Sequence, residues 1–147
     1  MRDKLQRHVD ASVVEGTRLV VGGHALGGQG SFYAPTSLAD AGPGMAVFDE
    51  ETFGPAAGIS VAPDVAGCTA LANATPFGLS VSIWTRSPAR GAELTKALTT
   101  GAVVVNTVTT PDARLPFGGT KKSGYGHELA AAGIREFTNV RTYWVAR

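Results

Sequence analysis

Cysteine is nearly missing from this chain: Cys68 stands alone among 147 residues. One thiol excludes an intrachain disulfide framework and fits a reducing cytoplasm, which is where the chain is expected. Long apolar runs are missing too. No window approaches the roughly 18 apolar residues that a membrane-spanning helix requires, so no membrane role is expected. Neither sign of charge dominates, with 13 Lys and Arg against 12 Asp and Glu, and nothing in that balance demands a nucleic acid or an anionic surface. The start, MRDKLQRHVDASVV, has no unbroken apolar stretch of the kind a secretory signal needs. His8, His24 and His127 stand at no metal-ligand spacing from one another or from Cys68, which argues against a zinc site. The 44% of residues that are hydrophobic suffice for one globular unit. At this length such a unit buries roughly 68 to 70% of its unfolded surface.

Glycine, by contrast, is abundant, and it punctuates an alternation of helical and extended patterns. Leu5, Val9 and Val13 recur every four residues and predict an amphipathic first helix closed at Glu15-Gly16, before the strand-like run TRLVVGG. From Gly23 to Gly44, six glycines and two prolines without periodicity predict a long connection of irregular or hairpin structure. The rhythm then becomes regular. AAGISVA reads as a strand, PDVAGCTALANAT as a helix with Asp64 near its start, and GLSVSIWT as a second strand. Ser87 supplies an N-cap and Pro88 an N1 residue for ARGAELTKALTT, which Gly101 stops, and AVVVN follows as a third strand. A short helix is expected over Leu129 to Glu136, with an extended VRTYWVAR after it. The β-α-β-α-β order, with crossovers of helical length, predicts an α/β fold with a parallel sheet covered by helices.

Parallel sheets place ligands beside the carboxyl ends of their strands, and the two oddest segments lie near such ends or in connections between strands. In DEETFGP, Asp49 to Pro55, three successive carboxylates fit a solvated turn. Three such residues usually mean no more than that, but they also fit a carboxylate held by the rigid FGP to accept hydrogen bonds from a sugar diol, with Phe53 as a wall against a flat ligand. Composition alone does not choose between these readings. The second segment, LPFGGTKKSGYGHE, packs four glycines into Leu115 to Glu128. It lacks the G-x-x-x-x-G-K-S/T spacing of a phosphate loop, and Lys121 and Lys122 read as surface charges. Cys68 sits among small apolar residues on an expected helix, with no basic neighbour in sequence to lower its pKa, and reads as a helix-packing cysteine.

Taken in order and spacing, EETFGP, LANATPFGLSVSIWT, GAVVVNT and LPFGGTKKSGYGHE closely resemble the C-terminal part of the aldehyde dehydrogenase superfamily. The wording near the end looks most like the succinate-semialdehyde dehydrogenase branch. GGHALGGQGSFYAPTSL resembles a further segment of that family, so the likeness covers essentially the whole chain.

The resemblance implies a three-layer, parallel-sheet catalytic domain, here incomplete, with a C-terminal oligomerisation strand at about 140–147 and no dinucleotide-binding domain. It implies oxidation of a small aldehyde, succinate semialdehyde in that branch, with NAD or NADP as cofactor. By the same likeness Glu51 binds the nicotinamide ribose and Phe53 packs beside the nicotinamide. Phe117 lines the substrate tunnel, Asn106 is a structural residue near it, and Glu128 sits deep in the domain and helps relay protons. The family's nucleophilic cysteine, its general-base glutamate and its dinucleotide domain precede the segment that this chain resembles, so the chain alone is expected to be inactive. The alternative is a non-catalytic remnant or assembly module. Either way, association with itself or with homologous subunits is expected. Two departures from the pattern stand out. His127 occupies a position where the family commonly has arginine, and Pro111 falls where the succinate-semialdehyde branch has a carboxylate-holding serine, leaving Thr109, Thr110 or Arg114 for that task.

Overall fold

Leu5 and Val9, one helical turn apart, are 3% and 2% exposed on α1 (Arg2–Val14) of a computed structural model that describes residues 1–147. The third member of the expected apolar row, Val13, is 41% exposed. His8 and Ser12 take its place on the buried face. A serine can sit there because its hydroxyl is satisfied twice: it donates to His8 O (2.7 Å) and accepts from Val47 N (2.9 Å).

The chain divides into two compact units, Met1–Thr75 and Pro76–Arg147, where length had suggested one. In the first, β1 (Arg18–Val21) pairs antiparallel with β2 (Thr36–Ala39), and the glycine-rich connection closes on itself through an Ala25–Tyr33 bridge. After α2 (Ala46–Asp49) the chain enters β3 (Ala56–Ile59), which lies parallel to β2 and completes a sheet of order β1-β2-β3. Leu5, Val9, Tyr33 and the fully buried Leu38 form its core, with Val47 and Ala56 against them. Burying a leucine of this kind contributes about 1.5–3 kcal/mol. Tyr33 brings its hydroxyl into that core without a hydrogen-bond partner, and burial, aided by the nearby Asp10 charge, raises its phenol above 10.0. The unit ends in α3 (Val65–Ala74), which Asp64 caps by accepting from Gly67 N at 2.7 Å.

In the second unit, β4 (Phe77–Gly78) leads into β5 (Ser80–Ile83), α4 (Pro88–Thr95) and β6 (Ala102–Val105). β5 and β6 are parallel in the register Ser80↔Ala102 to Ile83↔Val105, so this β-α-β unit is the one the strand order predicts. Ser87 accepts from Arg90 N at 3.3 Å and caps α4, which ends at Thr95, short of Gly101. The glycine-rich segment is not an open loop. It folds into β7 (Phe117–Gly118), β8 (Thr120–Lys121) and β9 (His127–Glu128), with β7 against β9 and β8 back against β4, and α5 (Ala130–Glu136) follows.

One expectation changes in detail within the α/β class. β3 pairs with β2, a strand hidden behind Pro35 in the glycine-rich stretch, while β5 and β6 form a separate two-stranded sheet. Residues 139–147 have no secondary structure within this chain.

Candidate functional site

In the first unit, α2 and the residues after it carry the three successive carboxylates, and α1 divides them. Asp49 accepts from Gly44 N at 2.8 Å, closing the turn in front of α2. Glu50 lies 3.0 Å from Nε2 of the buried His8, whose Nδ1 is 3.3 Å from the Thr52 hydroxyl. Glu51, between them, is exposed and makes no hydrogen bond or ion pair, and Phe53 is 57% exposed. One carboxylate and one aromatic face are therefore left available to a ligand. His8 is the residue sequence reading missed. Nothing local marks it, since its partners lie 42 and 44 positions away.

Cys68 departs from expectation. It is exposed rather than packed, because α3 buries none of its residues, and it lines an open groove of about 390 Å³ with Val47, Phe48 and Leu71. No three His, Cys, Asp or Glu side chains gather into a metal-binding cluster, and no helix is long and apolar enough to cross a membrane.

In the second unit, Phe117 and Glu128 are direct cross-strand partners on β7 and β9. Glycines make the pairing possible. A Cβ on Gly118 would collide with Gly126 O, and one on Gly101 would collide with Gly118 O, so these strands pass at backbone contact. Phe117 and Glu128 line a groove of about 380 Å³ with Leu79, Ser123 and Glu136. Glu128 is exposed rather than deep.

Asn106 terminates β6 at φ 55°, a left-handed conformation that asparagine tolerates. Its amide is spent on the backbone of Thr85, with Oδ1 accepting from N at 2.8 Å and Nδ2 donating to O at 2.9 Å. The role this describes is to tie together the ends of β5 and β6. Arg114 is likewise occupied: its guanidinium donates to both carboxylate oxygens of Asp112, at 2.9 and 2.6 Å. That contact holds the Asp112 carboxyl below its ordinary 3.8 and pushes the Arg114 guanidinium upward. Among Thr109, Thr110 and Arg114, Thr109 carries a buried hydroxyl with no hydrogen-bond partner.

Comparison with known proteins bears on both units. The model of the aldehyde dehydrogenase family matches residues 1–143. The NAD(P)+ succinate semialdehyde dehydrogenase Sad of Escherichia coli (strain K12) is 42% identical over 100% of this chain and 32% of its own length. The NADP(+) succinate-semialdehyde dehydrogenase 1 of Mycobacterium ulcerans is 41% identical over 98% of the chain and 31% of its own. Among solved structures, the Mycobacterium tuberculosis aldehyde dehydrogenase complexed with NAD+ superposes with a TM-score of 0.89 at 34% identity, over 94% of this chain and 29% of that one. The NAD+ complex of the Bacillus cereus aldehyde dehydrogenase does so with a TM-score of 0.91 at 28% identity, over 98% and 29%. The chain thus spans about a third of the length of the curated relatives it matches. With essentially its whole length matched in sequence and in backbone, this chain belongs to the aldehyde dehydrogenase family.

Proposed function

We propose that the chain forms the C-terminal part of the catalytic domain of an NAD(P)-dependent enzyme that oxidises succinate semialdehyde, or a closely similar small aldehyde, to the carboxylic acid. The observation that carries this reading is the division among Asp49, Glu50 and Glu51, in which two carboxylates are bound within the chain and the third is free. A free carboxylate near an exposed phenylalanine fits a ribose diol and a flat nicotinamide ring, so Glu51 and Phe53 hold the cofactor end. Bound NAD(P)+ supplies the hydride acceptor. Phe117 walls the aldehyde, and the exposed Glu128 carboxylate beside it takes up or gives back a proton. The Thr109 hydroxyl, unspent, is the donor for the distal carboxylate, whereas Arg114 reaches that group only by exchanging Asp112.

Cys68 has no part in the attack. A nucleophilic thiol needs a cationic or basic neighbour, and no basic residue lines the groove on which this one opens. The nucleophile, the general-base glutamate and the dinucleotide-binding domain come from residues outside these 147, in a cytoplasmic setting that keeps Cys68 reduced.

The test combines two preparations. The purified chain, given succinate semialdehyde and NAD+ or NADP+, forms no reduced cofactor. Placed in the E. coli relative in exchange for the matching third, it supports turnover, and Glu51→Gln then raises KM for the cofactor by about tenfold. Reduced cofactor formed by the chain alone and surviving Cys68→Ala would sink the reading, as would an unchanged cofactor KM in Glu51→Gln.

A second role has its own support. Val140, Tyr143, Trp144 and Val145 are 66–102% exposed in a tail without secondary structure, which suits addition to a sheet edge of another subunit. Truncation after Asn139 is expected to abolish self-association or association with homologous subunits, measured by light scattering; an unchanged mass rejects the role.

A further inference from the structure

One face of α1 reads the cofactor segment in reverse. Leu5 lies against Gly54, where an added Cβ would collide with its Cδ2. His8 contacts Thr52 and Glu50, Ser12 accepts from Val47 N, and Glu15 accepts from Ala46 N at 2.6 Å. Residues 5, 8, 12 and 15 are spaced by three and four, so they form one stripe, and each step up the helix meets a position further back in residues 46–54. The segment needs that support. α2 has only four residues, too few to hold itself, and two of its first N–H groups are capped by Ser12 of α1 and by Glu15, the residue that ends that helix.

Within the stripe His8 has a particular geometry. A carboxylate can only accept, so Nε2 carries the proton towards Glu50, and in the neutral ring Nδ1 accepts from the Thr52 hydroxyl. One imidazole thus grips the residues on either side of Glu51. Glu50 is extended, at φ −111° and ψ 150°, and in extended backbone successive side chains point to opposite faces. Gripping positions 50 and 52 turns 51 and 53 outward, in keeping with the exposure of Glu51 and Phe53.

We propose that His8 is a positioning residue for the cofactor site: by holding Glu50 and Thr52 it fixes the outward presentation of Glu51 and Phe53 to the nicotinamide ribose. The proposal rests on the reading of Glu51 given above, and its test separates the two. His8→Leu keeps apolar bulk without the hydrogen bonds, whereas His8→Gln keeps a donor and an acceptor. In this chain, hydrogen exchange at the bonded amides of Phe48, Asp49 and Glu50, which lead into the gripped residues, is expected to accelerate about tenfold in His8→Leu and to stay within about threefold of wild type in His8→Gln, with β2 and β3 unchanged. Acceleration spread over the whole first unit makes His8 an ordinary core residue and overturns the proposal, and so does no acceleration.

In the E. coli chimera, His8→Leu is expected to raise KM for NAD(P)+ about tenfold with kcat and aldehyde KM little changed, and His8→Gln to restore it. On a Glu51→Gln background the same substitution adds less than about twofold. A full, additive penalty on that background shows that His8 does not act through Glu51 and overturns the proposal. If Glu51→Gln alone leaves cofactor KM unchanged, the cofactor reading falls, while the exchange data still decide whether His8 holds the segment.

Discussion

The two units use opposite means of staying folded. Every buried hydrophobic side chain of the protein lies between Leu5 and Ala46, in the first unit. In the second, the buried positions are Gly78, Gly91, Gly119 and Gly133, while Trp84, Phe137, Tyr143 and Trp144 are 67–93% exposed. The first unit thus has a conventional interior, and the second is held by strand pairing and backbones at contact distance. Apolar burial is the main favourable term in folding, so the second unit gains most from being covered by other protein surface.

Core truncation should separate the units most sharply. Leu38→Ala removes a fully buried side chain and is expected to cost about 3 kcal/mol, whereas Val104→Ala on half-buried β6 should cost under about 1.5 kcal/mol. Site-resolved hydrogen exchange in denaturant reads both, and equal costs would break the comparison. Next in size are the helix caps. Asp64→Ala, which loses a 2.7 Å bond, should cost the first unit about 1 kcal/mol, and Ser87→Ala, which loses a 3.3 Å bond, about 0.5 kcal/mol. Helix amide exchange in α3 and α4 gives the ranking.

Alkali should act on the first unit alone. The folded state holds the Tyr33 proton more tightly than the unfolded state does, so the associated stability is complete below pH 10.0 and is lost as pH rises through the higher folded value. Tyr33→Phe should flatten that decline in a pH series of unfolding curves. The smallest effect belongs to the second unit. Asp112 ionises below 3.8 when folded, so any stability from its pair with Arg114 is present above that value and lost as pH falls through the lower folded one. The pair is solvent-screened, so Arg114→Ala should leave the unfolding midpoint unchanged and return the Asp112 carboxyl titration, followed by NMR, towards its ordinary value.

What could be read beforehand was local. Asp64 and Ser87 announce their helices because a cap and its acceptor lie three residues apart, and β5-α4-β6 is legible because its strands and crossover are contiguous. Thr36–Ala39 was not legible as a strand. Four residues behind a proline carry little pattern, and their identity as the central strand comes from partners on both sides. Val13 had the right spacing but the wrong surroundings, since the neighbouring face of α1 meets residues 46–54. The motifs named Glu51, Phe53, Phe117 and Glu128, and the fold puts the last two side by side. Which of three adjacent carboxylates stays free depends on a histidine more than forty residues away, and no local pattern contains that.

The reversed register between α1 and residues 46–54 also fixes length. One residue inserted between His8 and Ser12 turns everything beyond it by about 100° and carries Ser12 and Glu15 off the stripe, while a whole added turn displaces them by about 5.4 Å. Neither Val47 nor Ala46 can follow, because Gly54 is already seated on Leu5 at the other end. The connection from Gly27 to Gly30 bears no such constraint and can lengthen or shorten at its tip. Among functional descendants of this sequence, gaps should collect at that tip, and the eleven residues from Leu5 to Glu15 should keep their count even where their letters change.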